Sequence, residues 1–201
     1  MEPMIYVIAF AGCARSGKSS SAQFVEEYIK EKHPLGMVMH MSFAKPLKEG
    51  LERMGVYKDK EYELYRELAQ KVGTNYLRKH NDNWWVDLMR QEIDNIPKTG
   101  QWKVVIIDDV RFPNESALVK EYQNGYNIFV WGGDERIDLE LSVYDHDSEK
   151  LGVYYEKMIR GVPVGESMGD VGMDKVVDSR GSLDELKTSV YGIMDEIMKG
   201  H

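Results

Sequence analysis

Gly12-Cys13-Ala14-Arg15-Ser16-Gly17-Lys18-Ser19 decides the reading of this chain. The run fits the pattern G-x-x-x-x-G-K-[S/T], in which glycines let the backbone turn tightly and bring successive N–H groups around a phosphate. Its flanks are those the pattern needs. Ile5-Tyr6-Val7-Ile8-Ala9-Phe10 is apolar and β-rich, as in a buried parallel strand, and Ser19 to Ile29 carries apolar residues at helical spacing. A strand, a glycine loop and a helix N-terminus together make an anion cradle. The expected phosphate contacts are Ala14, Arg15, Ser16, Gly17, Lys18, Ser19 and Ser20. Lys18 supplies a point charge to the outer phosphates. The Ser19 hydroxyl suits Mg²⁺, a hard cation that takes oxygen ligands. A chance glycine turn would lack the strand and helix. A lipoprotein cleavage box at Phe10-Ala11-Gly12-Cys13 would need Lys or Arg ahead of the apolar run, where the chain has Glu2. The loop implies handling of a nucleoside triphosphate and leaves the acceptor open.

Bulk composition narrows the partners. The chain has 201 residues, 42% hydrophobic and 30% charged, which suits one substantial core. Its net charge of −8, with no basic stripe, argues against a nucleic-acid partner. No apolar run approaches the ~20 residues of a membrane span. A single cysteine excludes an internal disulfide and fits a reducing, cytoplasmic compartment. Cys13 reads as a small filler within the loop. An isologous homodimer is the default expectation for assembly.

Strands and helices alternate along the chain. Strands are expected over Met4–Phe10, Met37–Phe43, Lys103–Asp108, Asn127–Trp131 and Asp174–Val177. Helices are expected over Lys18–Lys32, Leu47–Met54, Glu61–Val72, Trp84–Ile93, Asn114–Gln123 and Leu183–Met198. This pattern predicts an α/β three-layer sandwich: a mostly parallel sheet of about five strands with helices on both faces. The whole chain reads as one domain with two departures from strict alternation. Residues 44–96 are helix-rich and suit an acceptor-binding region. Residues 132–173 are polar and glycine-containing and suit a lid.

Two further blocks carry chemistry. Val104-Val105-Ile106-Ile107-Asp108-Asp109 is an apolar strand ending in acids, one of which can serve Mg²⁺ or orient an attacking group. The pattern does not choose between them. Asp109-Val110-Arg111-Phe112-Pro113-Asn114-Glu115 sets an arginine just past the strand end, where it either neutralises a transferred phosphoryl group or pairs with an acid to fix the loop. Among the cations of the helical region, Arg66 stands out because a guanidinium grips phosphate bidentately. Trp84 and Trp85 read as core. Asp145-His146-Asp147-Ser148-Glu149 reads as a capped helix start, since adjacent residues cannot all face one ion.

Taken in order, these blocks resemble the deoxynucleoside monophosphate kinases of tailed bacteriophages, members of the P-loop nucleoside monophosphate kinase group. The resemblance runs through Gly17-Lys18, Phe43-Ala44-Lys45-Pro46-Leu47-Lys48, Arg66 to Gly73-Thr74 with Arg78, and Asp82 with Trp85-Val86. It continues through Asp109 to Glu115, His146-Asp147-Ser148-Glu149 and Gly181 to Leu186. It implies ATP on the first block and a monophosphate site built from Lys48, Arg66 and Arg78. It also implies Asp109 and Arg111 in the cleft, Ser19 and Asp109 toward Mg²⁺, and a host-cytoplasmic location if the chain is phage-encoded. The group's lid arginine has no match at Phe129-Val130-Trp131-Gly132-Gly133, so Arg136 is expected in that role ahead of Arg160. Lys18, Arg66, Arg111 and Arg136 form the expected catalytic set. The alternatives are another small-molecule kinase, such as one acting on a coenzyme precursor, and a nucleotide switch. The chain has no Asn-Lys-x-Asp run, which counts against a GTPase switch.

Overall fold

β1 (Ile5–Ala11) is buried from Tyr6 to its end, which a strand achieves only with layers on both faces. The computed structural model describes residues 4–97, 100–132, 147–161 and 172–199. The chain divides into two compact units, Met1–His40 with Pro97–His201, and Met41–Ile96.

The first unit holds a five-stranded parallel sheet in the order β2-β3-β1-β4-β5, with β2 at Met37–Met41, β3 at Lys103–Val110, β4 at Asn124–Trp131 and β5 at Lys175–Asp178. β1 pairs with both β3 and β4, so chain connections leave it in opposite directions. Its C-terminal end is therefore a switch point, where an open parallel sheet presents a ligand crevice. α1 (Lys18–Lys32) and α7 (Leu183–Ile197) cover one face, burying Val25, Ile29, Val190 and Met194 against Tyr6, Ile8, Phe10, Ile106 and Val130. Alternation sends Val7, Ala9, Val105, Ile107 and Phe129 to the other face, where they are also fully buried. α5 (Pro113–Glu121) and α6 (Lys150–Ile159) pack on that side, α6 bringing the Tyr155 ring 5.4 Å from Phe129. The expected three-layer sandwich is the observed one.

β3 does not stop at its first acid. Ala9 pairs with Ile107 and Ala11 with Val110, so two steps on β1 answer three on β3. This bulge carries Asp108 and Asp109 within the strand, both half-buried. α6 is an element that the polar, glycine-containing sequence concealed. Leu151, Gly152, Tyr155 and Glu156 are buried, so this part of the expected lid is tied to the core.

The second unit contains α2 (Lys45–Arg53), α3 (Tyr62–Gln70), a π-helical segment (Lys71–Arg78) and α4 (Trp84–Asp94). The sequence reading ends α3 near Gly73, but the helix runs on in wider turns. A Cβ at Gly73 would lie 2.7 Å from Leu47 Cδ2, so the glycine admits α2 rather than ending a helix. Its carbonyl accepts a hydrogen bond from Trp85 Nε1 at 3.1 Å. Trp85 is core as expected, whereas Trp84 is exposed. Among the described residues, no helix is long and apolar enough to cross a membrane.

Candidate active site

The glycine loop leaves β1 at the switch point. Arg15 and Gly17 take left-handed backbone, with φ of 61° and 96°, on either side of Ser16. Such alternation turns successive N–H groups toward one concave nest. Lys18 opens α1 and folds back into the loop, where Nζ donates to the carbonyls of Gly12 (2.9 Å) and Cys13 (2.6 Å). Its burial lowers the ammonium pKa to about 8, Arg111 adds repulsion, and Glu149 and Asp108 oppose the drop. The Cys13 thiol is pushed up to about 12 by burial and by Glu156 and Glu149, with Lys18 pulling the other way. It is an inert filler, as expected.

Oxygen ligands stand beside the loop. Ser19 Oγ donates to Asp108 Oδ2 at 2.8 Å, so the bulged strand brings Asp108 to the serine. Asp109, the acid expected toward Mg²⁺, sits next in the strand and is half-buried. A hydroxyl and a carboxylate at hydrogen-bond distance form the hard-oxygen pair that Mg²⁺ takes while keeping several waters. Among the described residues, no cluster of three or more His, Cys, Asp or Glu is placed to hold a metal.

Arg111 is fixed from two directions. Its backbone N–H donates to Glu115 Oε2 at 2.7 Å, and Phe112 N–H to the same oxygen at 3.1 Å, with Glu115 buried at the start of α5. Its guanidinium pairs through Nη1 with Glu149 Oε1. Glu149 Oε2 accepts the Ala14 N–H at 3.0 Å. The loop after β5 closes the other side: Ser179 Oγ donates to Ser16 O at 2.6 Å, and the Arg180 guanidinium lies 3.5 Å above the Trp131 ring. Arg180 also pairs with Asp178, holding that carboxyl below its usual range.

The first unit thus brings together the loop residues, Lys18, Ser19, Asp108 and Arg111. In the second unit, Arg66 is half-buried on α3, and Lys48 is exposed with Nζ 3.1 Å from Ser42 Oγ. Arg78 is buried at the end of the π-helical segment, where its Nη1 donates to Asp82 O at 3.2 Å. Arg160 caps α6 with Nη2 4.0 Å from Glu156 Oε1. Arg136 lies outside the described residues. The sequence reading passed over Glu115, Glu149 and the choice of Asp108. Pro113-Asn114-Glu115 carried a readable helix-start signal for the first. Nothing local in the sequence shows Glu149 meeting Ala14, 135 positions away, together with Arg111.

Comparison with known proteins adds little to this geometry. No family model matches the chain. No curated protein matches its sequence. Solved structures similar to it include the crystal structure of APE1195, at 14% identity and TM-score 0.49 over 99% of each chain. They also include shikimate kinase from Acinetobacter baumannii in complex with shikimate, at 10% identity and TM-score 0.43, covering 96% of this chain and 93% of that one. The fold class rests on the strand order and loop described above.

Proposed function

We propose that this chain transfers the γ-phosphoryl group of ATP to a deoxynucleoside 5′-monophosphate, giving the diphosphate and ADP. The observation that supports transfer best is the grouping of Lys18, Arg111 and the Ser19–Asp108 pair around one glycine loop. Phosphoryl transfer needs positioning and charge neutralisation, and no covalent enzyme intermediate. The loop N–H groups from Ala14 to Ser20 bind and orient the donor phosphates. Lys18 exchanges its two carbonyl partners for phosphate oxygens, and Arg111 faces the group in transit. Mg²⁺ fits at Ser19 and Asp108, where it would neutralise charge on the donor phosphates. Asp109 remains the candidate for orienting the acceptor.

Acceptor recognition is assigned to residues 44–96, with Arg66 gripping the monophosphate and Lys48 and Arg78 adding charge. This part rests on the sequence resemblance. The lid role within 132–173, with Arg136 as its cation, is proposed on the same ground, as is action in the cytoplasm. A coupled ADP-release assay over all ribo- and deoxyribonucleoside monophosphates tests the reading. Release that depends on a deoxynucleoside monophosphate supports it. Release equal with and without every monophosphate overturns it.

A further inference from the structure

Glu149 is an anion set against an anion-binding loop. One carboxylate oxygen accepts the Ala14 N–H at 3.0 Å, the other takes the Arg111 guanidinium, and the side chain is only 8% exposed. Such a group either stands in for phosphate and leaves when phosphate arrives, or stays and holds its partners. The mounting of α6 favours the second. Glu149 directly precedes that helix, and a Cβ at Gly152 would lie 2.9 Å from Cys13 N and 3.0 Å from Gly12 C. Glu156, one turn further on, accepts from Trp131 Nε1 at 3.2 Å and lies 3.9 Å from the Cys13 thiol that donates to it. Leu151 is buried as well. The backbone that carries the carboxylate is therefore packed against the loop it bonds, which holds Glu149 close to Ala14 and Arg111.

We propose that Glu149 is a positioning residue, fixing the Arg111 guanidinium and the loop at Ala14 in one arrangement suited to a phosphoryl group. The contact engages Nη1, and a guanidinium carries five N–H donors, so Arg111 can be oriented by Glu149 and still donate to phosphate. Glu149 also balances Lys18 and Arg111, two cations near enough for Arg111 to disfavour the Lys18 charge. The kinetic part of this inference rests on the transfer reading.

The test uses the full chain with Glu149→Ala, Glu149→Gln, Arg111→Ala and the double variant Glu149→Ala/Arg111→Ala. NMR of the Arg111 Nε–H group and the Ala14 amide reads positioning without reference to activity. Expected in Glu149→Ala are an Arg111 order parameter falling below about 0.6 and faster Ala14 exchange. Turnover should fall about 10- to 100-fold with the KM for ATP nearly unchanged. The double variant should be no slower than Arg111→Ala alone. Glu149→Gln, which keeps size and one acceptor, should lie between and supplies the answer if the alanine variant does not fold. Unchanged Arg111 order and Ala14 exchange in both Glu149 variants overturn the proposal. Tighter ATP binding with full turnover overturns it too, because the carboxylate would then be a phosphate stand-in. Full activity in Arg111→Ala would instead refute the role given to Arg111 in transfer, while the NMR result still decides the role of Glu149.

Discussion

Nucleotide binding should carry a proton into the protein at alkaline pH. Burial, with Arg111 nearby, lowers the Lys18 pKa from 10.5 to about 8, whereas bound phosphates hold the ammonium charged. The free protein therefore loses this proton through pH 8 and regains it on binding. Uptake should be about 0.1 proton at pH 7, about 0.5 at pH 8 and about 0.9 at pH 9. Because the folded pKa lies below the ordinary one, the unliganded protein also gains stability from this group as pH rises from about 8 toward 10.5. Calorimetric titration with a non-hydrolysable ATP analogue, in buffers of different ionisation enthalpy, reads the proton count. Lys18→Arg, which stays charged, should bind without uptake. The kinetic counterpart is a kcat/KM for ATP that falls about tenfold per pH unit above 8 while kcat does not. Binding heats independent of buffer at pH 8.5, or equal uptake in Lys18→Arg, would refute the burial of a titrating ammonium in the loop.

Further substitutions test the loop packing, the metal pair and the acceptor region. Gly152→Ala forces a methyl against the backbone at Gly12 and Cys13 and should cost about 1–3 kcal/mol, read by chemical denaturation, with weaker ATP binding. Asp108→Asn should raise the Mg²⁺ concentration needed for half-maximal activity more than Asp109→Asn, because Asp108 is the acid bonded to Ser19; a metal titration that ranks them the other way would restore Asp109 to the Mg²⁺ role. Arg66→Ala and Arg66→Lys should both raise the acceptor KM and lower kcat with ATP binding unchanged, since a lysine cannot reproduce a bidentate grip; steady-state kinetics with acceptor varied checks this.

Periodicity and loop chemistry carried the fold a long way. β1, the glycine loop and α1 were legible nearly to the residue, because a continuous apolar run, a fixed glycine spacing and helical periodicity are local signals. α7 was legible from its 3.6-residue pattern, and the structure adds a Ser182–Glu185 capping box at its start. What failed depended on distant partners. The bulge in β3 exists only in its register with β1, so two adjacent acids could not be told apart along the chain. Gly73 read as the end of a helix and Gly152 as part of a glycine-containing lid, yet both are small because Leu47 and the loop backbone press on them. α6 was hidden for the same reason, and Glu149 with it.

Following the phosphoryl group itself tests transfer most directly. ATP carrying ¹⁸O on its γ-phosphate, incubated with the protein, Mg²⁺ and the deoxynucleoside monophosphates together, can be analysed by mass spectrometry. Transfer predicts the label in the β-phosphate of a deoxynucleoside diphosphate, lost in Lys18→Ala. Label appearing only in inorganic phosphate, at a rate indifferent to the monophosphates, would contradict it.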